Sequence, residues 1–215
     1  MKIQINRLHY PVTVLGPGRR VGIWLQGCGI ECPGCMASDT WPSDSGKSMD
    51  VVDVVAWCRD VAGSGPDGVT ISGGEPFEQP EALSQLLDEL RRWRDERADP
   101  FDILCYSGMP LARLFAMHAD ILSRLDALIP EPFIASRPRG AAWRGSDNQP
   151  LLALSPLGRH RYADYIAARV DRCIQINVTG NRVWFIGIPD RGDLAALQGA
   201  LRGAGIELED VSWRP

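Results

Sequence analysis

The stretch LQGCGIECPGCMASDTW, from Leu25 to Trp41, places three cysteines within eight residues of a loop rich in glycine and proline. These are Cys28, Cys32 and Cys35, and no other cysteine follows until Cys58. Closely spaced cysteines in a chain with few others are typical of a metal or redox site. This loop is therefore the strongest candidate for a functional site.

The composition of the 215-residue chain is that of an ordinary globular protein. Hydrophobic residues make up 45% and charged residues 23%, and the formal net charge is −4. These values argue against global disorder and give no reason to expect nucleic acid as a partner. The N-terminus has no apolar signal-peptide core, and no run of about 18 apolar residues occurs. We expect a cytoplasmic protein without a membrane partner, in a compartment that disfavours disulfides.

Strand-like and helix-like stretches alternate along the chain from the cysteine loop. Residues 19–27 predict a strand that enters the loop, and residues 49–62 have helical periodicity. Helices are also predicted at 79–97 and 110–125, and strands at 67–77, 101–108 and 126–134. Alternation of short apolar strands with amphipathic helices predicts an α/β fold with a largely parallel sheet.

The last third of the chain has a different pattern. Residues 137–161 are rich in Arg, Pro, Gly and Ser, which indicates a long functional loop or a linker. Residues 173–189 predict a hairpin with a turn at TGN, followed by a helix at 193–205 and a strand at 206–213. We therefore expect a core domain of residues 1–155 and a small α+β extension of residues 156–215.

Four kinds of site compete for the three cysteines of the loop. A structural zinc site needs a fourth ligand, and no second cysteine or histidine pair follows. A disulfide conflicts with the expected compartment, and a redox pair needs only two cysteines. An iron-sulfur cluster fits better, because glycine-rich backbone can donate hydrogen bonds to the sulfides. We expect the scattered Cys58, Cys105 and Cys173 to be buried apolar residues.

Three thiolates on a cluster of four irons leave one iron without a protein ligand. An open coordination position is typical of a catalytic metal centre. The spacing Cys28-x3-Cys32-x2-Cys35, in a loop after the first predicted strand, resembles the cluster motif of the radical S-adenosylmethionine (SAM) superfamily. The resemblance implies a 4Fe-4S cluster whose open iron binds SAM, and reductive cleavage of SAM to a 5′-deoxyadenosyl radical that abstracts hydrogen.

A second motif, ISGGEP at residues 71–76, ends the next predicted strand. It resembles the glycine-rich motif with which this superfamily contacts the amino group of SAM, and the resemblance implies that Gly73, Gly74, Glu75 and Pro76 take part in cofactor binding. Glycines let the backbone approach a ligand closely, and a glutamate offers a carboxylate to an ammonium group. Alone, GGEP is also compatible with an ordinary strand-to-helix turn.

The closer resemblance is to glycyl-radical activases, in particular those of anaerobic ribonucleotide reductase. It rests on GPGRR at residues 16–20, on SDTW after the CPGC of the loop, and on WRGSDNQ at residues 143–149. The family implies a partial (βα)6 radical SAM barrel, and it implies that Arg144, Ser146 and Asn148 bind SAM or shape the site. Arg144 could do so through a carboxylate.

The sequence departs from the short activases in two places. ALIPEPF at residues 127–133 stands where the family has an acidic-glycine strand end resembling VDGxF, so the part played by Glu131 is open. Residues 156–215 have no counterpart in the short activases. They could cover the open side of the barrel, bind a partner, alter substrate access or stabilise the core as a cap.

These features favour an activase that makes a glycyl radical on a partner enzyme and receives electrons from a flavodoxin or ferredoxin. A stand-alone radical SAM enzyme acting on a small metabolite or a peptide is the alternative. An iron-sulfur electron carrier is a third hypothesis, which the SAM-type glycine motif disfavours.

Overall fold

A computed structural model describes residues 1–137, 140–169, 173–180, 182–190 and 192–209. The strands in these residues are β1 (Lys2–Val12), β2 (Arg20–Leu25), β3 (Ser48–Asp50), β4 (Gly68–Gly73), β5 (Asp102–Tyr106), β6 (Ala127–Ile129), β7 (Leu152–Ala153), β8 (Ile174–Thr179) and β9 (Arg182–Gly187). The α-helices are α1 (Val51–Ala62), α2 (Pro80–Asp95), α3 (Leu111–Leu122), α4 (Pro156–Tyr162) and α5 (Asp193–Gly203). None of the described helices has the length and apolar composition needed to cross a bilayer.

A mixed seven-stranded sheet forms the centre of the molecule, in the order β3-β1-β2-β4-β5-β6-β7. Strands β2, β4, β5 and β6 are parallel to one another, whereas β1, β3 and β7 pair in antiparallel fashion at the two sides. The carboxyl ends of the four parallel strands therefore meet at one edge of the sheet. The second sheet is the antiparallel hairpin of β8 and β9.

Helices α1, α2 and α3 cover one face of the sheet. Ile23 of β2 lies beside Ile71 of β4 in the parallel register, so the two side chains share a face of the sheet. Both pack in the buried cluster on the side of these helices. They pack with the apolar stripe of α2, which includes Leu83 and Leu86, in the largest buried cluster. Burial of such a stripe stabilises an amphipathic helix more than its intrinsic propensity does.

The opposite face of the sheet is covered by later parts of the chain. Tyr162 of α4 is buried against Leu104 and Ile129. Ile186 of β9 packs on Val12 and Leu15 in a separate cluster. The hairpin therefore lies on the β1 side of this face, and α4 lies on the β5 and β6 side.

The amino ends of β2 and β5 are joined by a buried ion pair between Arg20 and Asp102. Both side chains are 0% exposed, and a guanidinium Nη2 of Arg20 lies 2.6 Å from Oδ1 of Asp102. Arg20 also donates to Thr70 Oγ1 and to the Val69 carbonyl, and the Tyr162 hydroxyl donates to Asp102. Buried charges persist only when they are paired and hydrogen-bonded in this way.

The structure confirms the α/β class, the parallel centre of the sheet, the helices of the core and the C-terminal hairpin and helix. It also contains β1, which our sequence predictions did not include. Beyond α5, the expected strand at 206–213 is wrong for residues 206–209, which have no strand partner, and residues 210–213 lie outside the described residues.

The loop expected at residues 137–161 is partly wrong, because β7 and most of α4 lie within it. Helix α4 begins with a cap that composition conceals. The Ser155 hydroxyl accepts a hydrogen bond from the Gly158 amide at 2.9 Å, and Pro156 occupies the first turn. A Cβ atom on Gly158 would lie 1.9 Å from the Asp126 carbonyl oxygen, so this glycine lets α4 pack closely on the core.

Candidate functional site

The cysteine loop leaves the carboxyl end of β2 and is closed at its base by backbone hydrogen bonds. The Gly27 amide donates to the Thr40 carbonyl at 2.7 Å, and the Cys28 amide donates to the Trp41 carbonyl at 3.0 Å. A tight turn within the loop is held by the Cys35 amide, which donates to the Cys32 carbonyl at 3.0 Å. The loop is therefore an ordered structure that presents all three cysteines from one strand end.

The three cysteines of the loop are free thiols of intermediate exposure. Burial raises the pKa of Cys28 and of Cys32, and a backbone hydrogen bond from Phe133 opposes the rise at Cys32. The Ala37 amide donates to Cys35 Sγ at 3.5 Å. In the described ranges, no three His, Cys, Asp or Glu side chains lie close enough together to hold one metal ion.

The remaining cysteines differ from one another. Cys58 and Cys105 are buried, as expected, among the apolar residues of the main core. Cys173 is exposed, so the expectation of burial is wrong at this position. It lies immediately before β8, and the two-stranded sheet that β8 belongs to offers less cover than the central sheet.

The GGEP turn is fixed directly to the base of the cysteine loop. The Gly74 amide donates to the Leu25 carbonyl, and the Glu75 amide donates to the Gly27 carbonyl, both at 2.8 Å. A Cβ atom on Gly74 would lie 2.1 Å from the Gly27 oxygen, and Gly73 has a φ of +98°. The close approach at Gly74 and the left-handed backbone at Gly73 each require glycine. The two sequence motifs therefore form one structural unit at the ends of β2 and β4.

The carboxylate of Glu75 is 1% exposed and joins the ends of β4 and β5. Its Oε1 accepts from the Phe77 amide and the Ser107 hydroxyl, and its Oε2 accepts from the Gly108 amide at 2.7 Å. Burial raises the pKa of Glu75 to about 7, against the effect of these hydrogen bonds. A carboxylate has about four acceptor positions, so Oε2 retains one. Pro76 follows as the first residue of a short 3₁₀ turn, and it is buried, as is Phe77.

Two residues that the sequence reasoning missed strengthen this unit. Both oxygens of the Glu78 carboxylate accept from the Gly29 amide, at 2.9 and 3.1 Å. The Gln79 amide group accepts from the Gln4 amide and donates to the Gln26 carbonyl. Both follow the GGEP motif within three residues, so a wider motif would have included them.

The turn after β6 forms the next wall of the site. Glu131 has a φ of +81°, a conformation that usually requires glycine, and its carboxylate accepts from the Leu111 amide at the start of α3. This side chain therefore holds a helix end in the structure. A Cβ atom on Gly34 would touch Phe133 and Ala135, which places the turn against the cysteine loop.

The WRGSDNQ segment packs against this turn. Ser146 is fully buried, and its hydroxyl accepts from the Ile134 amide at 3.1 Å. Asn148 donates to the Pro132 carbonyl at 2.9 Å, while its Oδ1 is buried without a partner among the described residues. Gln149, which we did not predict as a site residue, donates to the Glu131 carbonyl.

Arg144 is 8% exposed and donates to the carbonyls of Ala142, Tyr165 and Ile166. Burial lowers the pKa of its guanidinium. These contacts tie the segment to the turn after α4. The expected action of Arg144 through a carboxylate stays a prediction.

A cavity of about 260 Å³ lies against the cysteine loop and the GGEP turn, touching Cys35 and Gly73. Its floor includes Trp24, Ser72 and Tyr106, which point away from the helical face of the sheet. Its roof is the hairpin, and the lining residues of β9 and its extension are Val183, Trp184, Phe185, Ile186, Gly187, Ile188 and Pro189. The described extension therefore closes the side of the sheet on which the site lies.

The hairpin is joined to the cysteine loop through Arg7 of β1. The Arg7 guanidinium lies 5.3 Å from the ring centroid of Trp184 and pairs with the Asp39 carboxylate. The other oxygen of Asp39 is buried with no partner in the described part of the chain. A cation–π contact and an ion pair on one guanidinium connect the roof of the cavity to the loop.

The residues present fit a 4Fe-4S cluster with SAM. Three free thiols stand on one loop, and glycine backbone reaches that loop from the neighbouring strand end. The Oδ1 of Asn148 is a buried acceptor without a partner among the described residues, one position before the cavity-lining Gln149. Thiolates suit iron, and acceptors suit the amino group of SAM.

Comparison with known proteins supports this arrangement. The model of the family described as "4Fe-4S single cluster domain" matches residues 14–152. The anaerobic ribonucleoside-triphosphate reductase-activating protein of Vibrio cholerae is 34% identical over 146 residues, covering 66% of this chain and 92% of that protein. Its counterpart in Escherichia coli K12 is 30% identical, covering 66% and 93%. The pyruvate formate-lyase-activating enzyme of Listeria monocytogenes is 38% identical over 78 residues, or 35% and 32% of the two chains.

The family match begins before β2 and ends within β7, so it contains the cysteine loop, the GGEP turn and the WRGSDNQ segment. The hairpin and α5 lie outside it. The family's cofactors are a 4Fe-4S cluster and SAM. On its sequence match and its cysteine motif, the chain belongs to the 4Fe-4S single-cluster family of radical SAM enzymes that includes the glycyl-radical activating proteins.

Proposed function

We propose that this protein is a glycyl-radical activase of the anaerobic ribonucleotide reductase type. When bound, the 4Fe-4S cluster supplies an electron that cleaves SAM reductively to methionine and a 5′-deoxyadenosyl radical, which takes a hydrogen atom from a glycine of the partner. The electron comes from a flavodoxin or ferredoxin. The partner is a glycyl-radical enzyme, and the reaction takes place in the cytoplasm.

The union of the cysteine loop with the GGEP turn carries this proposal. Backbone hydrogen bonds of 2.8 Å join the two motifs at adjacent strand ends, where only glycine fits. Ligands bind at the carboxyl ends of parallel strands in α/β proteins. A cluster held by the loop would thus adjoin a ligand held by the turn.

Within this proposal, Cys28, Cys32 and Cys35 bind the cluster and leave one iron open to SAM. Gly73 and Gly74 bring backbone close to the amino group of SAM, and Pro76 fixes the turn. Glu75 holds the turn through its three hydrogen bonds, and the free position on Oε2 can accept from the ammonium group.

The WRGSDNQ segment forms the far side of the SAM site in this proposal. Asn148 offers to SAM its Oδ1, which is unpartnered among the described residues, while Ser146 and Arg144 shape the segment through their buried contacts with the backbone. Arg144 and Ser146 thereby act as positioning residues.

We also propose that the sheet is a partial (βα)6 radical SAM barrel formed by a core of residues 1–155, with residues 156–215 as an extension. Four parallel strands and three connecting helices support the barrel-like core. Helix α4 at the start of the extension is anchored in that core by Tyr162. The hairpin and α5 lie outside the region that the family match covers.

A stand-alone enzyme acting on a small molecule or peptide is the second candidate. The observation that favours it is the hairpin roof, which leaves a cavity of about 260 Å³ beside Cys35. A folded partner would need to present a thin extended loop to reach this cavity.

The test is anaerobic reconstitution of the cluster, reduction with dithionite and measurement of 5′-deoxyadenosine formed from SAM. We expect the wild type and Cys58→Ala to cleave SAM, and Cys32→Ala to form no product. Cleavage by Cys32→Ala equal to that of the wild type would contradict the radical SAM assignment. Loss of hydrogen from a labelled glycine of a co-expressed glycyl-radical subunit separates the activase from the second candidate.

A further inference from the structure

The turn that follows β5 is hydrogen-bonded to its neighbours on both sides. The Ser107 amide donates to the Ile129 carbonyl of β6 at 2.9 Å. On the other side, the Gly108 amide donates to Oε2 of Glu75 at 2.7 Å, which joins the turn to the GGEP motif. Within the turn, the Met109 amide donates to the Ser107 hydroxyl at 3.0 Å. The turn is therefore a fixed support beside the site.

The side chain of Ile30, midway between Cys28 and Cys32, rests on this support. A Cβ atom on Gly108 would lie 2.8 Å from Cδ1 of Ile30, whereas carbon atoms in contact are about 3.5–4.0 Å apart. The φ of Gly108 is outside the left-handed region, so the contact, and not the backbone conformation, disfavours a side chain here. Ile30 is also packed against the main core. The cysteine loop is thus held at its middle as well as at its base.

The backbone at Ile30 reaches a predicted cluster ligand. Backbone hydrogen bonds from Ile30 and Glu31 reach the Cys28 thiol, where they oppose the rise in its pKa that burial causes. Glu31 has a φ of +48°, a conformation that costs free energy for a residue other than glycine. Such a conformation persists only where the surrounding structure fixes it. The contact of Ile30 with Gly108 is one of the contacts that fix this part of the loop.

We propose that Gly108 is a positioning residue for the 4Fe-4S cluster, because it seats the Ile30 side chain and thereby aims two backbone amides at the sulfur of Cys28. Hydrogen bonds to the sulfurs of a cluster are among the factors that set its reduction potential. They stabilise the added negative charge of the reduced state, so their loss makes the potential more negative. The inference rests on the proposed function for the role of Cys28 as a cluster ligand. The sequence motifs do not include Gly108.

The experiment uses the anaerobically reconstituted holoprotein. Redox titration followed by electron paramagnetic resonance gives the midpoint potential of the cluster without SAM, and calorimetry gives the Kd of SAM. Gly108→Ala displaces the Ile30 side chain, so we expect a more negative potential and severalfold weaker SAM binding. Ile30→Val removes the Cδ1 methyl that the new Cβ meets. The double variant should therefore recover the wild-type potential, with a Kd for SAM within about twofold of the wild type.

Two further variants complete the experiment. Ile30→Val alone loosens the contact and should shift the potential in the same direction by a smaller amount. Gly203→Ala is the matched control, because a Cβ on this glycine of α5 meets nothing within 4 Å, and it should change neither the potential nor the Kd. Iron per chain and the free energy of unfolding are measured for every variant. Near-wild-type values of both in Gly108→Ala assign its effect to the position of the loop.

Three results would overturn the inference: a wild-type potential in Gly108→Ala, a double variant no closer to the wild type than Gly108→Ala, or a loss of iron that accounts for the whole loss of SAM binding. The last result would make the contact merely structural. The proposed function fails separately, if the reduced wild type forms no 5′-deoxyadenosine from SAM, whatever the potentials of the variants.

Discussion

The two ends of the parallel strands use buried charge in opposite ways. At the amino end, Arg20 and Asp102 neutralise each other, and both side chains are fully buried. At the carboxyl end, Glu75 is buried without a cationic partner among its described contacts, held only by two amides and a hydroxyl. One end is an electrostatically complete support, and the other retains an unneutralised carboxylate and half-buried thiols. Such a contrast is typical of a stable base beneath a functional site.

The largest effect should come from breaking the base. Asp102→Asn leaves the buried guanidinium of Arg20 without its counter-charge, and we expect a loss of about 3–5 kcal/mol in the free energy of unfolding. Anaerobic urea unfolding measures this loss. The control Glu96→Gln removes the exposed pair with Arg59 and should leave the free energy of unfolding nearly unchanged, because solvent screens exposed pairs. Equal losses in the two variants would show that the Arg20–Asp102 pair is no special support.

Glu75 should make the stability depend on pH in a definite direction. Its pKa is raised from 4.5 to about 7 by burial, so the folded state binds this proton more tightly than the unfolded state does. The stabilisation is complete below about pH 4.5 and is lost as the pH rises through about 7, a change of about 3 kcal/mol.

Urea unfolding at pH 5 and pH 8 tests this dependence by difference. Glu75→Gln cannot ionise, so its stability should fall less than that of the wild type over this range. Glu78→Gln is the control, since Glu78 also accepts an amide of the cysteine loop but is exposed, and it should keep the wild-type slope. An identical slope in Glu75→Gln and the wild type would contradict the buried, unneutralised state of this carboxylate.

A smaller effect is expected at the junction of the roof with the loop. Arg7→Met keeps much of the side-chain volume but removes the contact with Trp184 and the pair with Asp39. We expect a loss of about 1 kcal/mol, seen as roughly fivefold faster hydrogen exchange in β9. Arg19→Met removes a similar contact with Tyr10 and should leave exchange in β9 unchanged. Unaltered protection in Arg7→Met would mean that the hairpin is held by other contacts.

Much of the fold follows from hydrophobic periodicity. Helices α1, α2 and α3 were predictable because each buries a regular apolar pattern on one face. The strand before the cysteine loop was predictable as a short, mostly apolar run, and it is buried on both faces. Helix α4 was not, because its seven residues include a proline, a glycine and three basic residues. Its stability comes from the Ser155 cap and from Tyr162, whose partner Asp102 lies sixty residues earlier.

The candidate site shows the same division. Cys28, Cys32, Cys35 and the GGEP motif could be identified from local spacing alone. The inward orientation of Glu75 could not, since its partners Ser107 and Gly108 lie more than thirty residues later. The contact of Arg7 with Trp184 joins the two ends of the chain, and no local pattern contains it.

The central claim is that the cysteine loop and the GGEP turn are one site, and Gly74→Ala tests it most directly. The added Cβ would lie 2.1 Å from the Gly27 carbonyl oxygen, so it must separate the two motifs. Gly199→Ala in α5, where a Cβ meets nothing within 4 Å, is the control. We predict that Gly74→Ala loses both bound iron and SAM affinity after anaerobic reconstitution, while Gly199→Ala keeps both. Wild-type iron content and SAM affinity in Gly74→Ala would contradict the account.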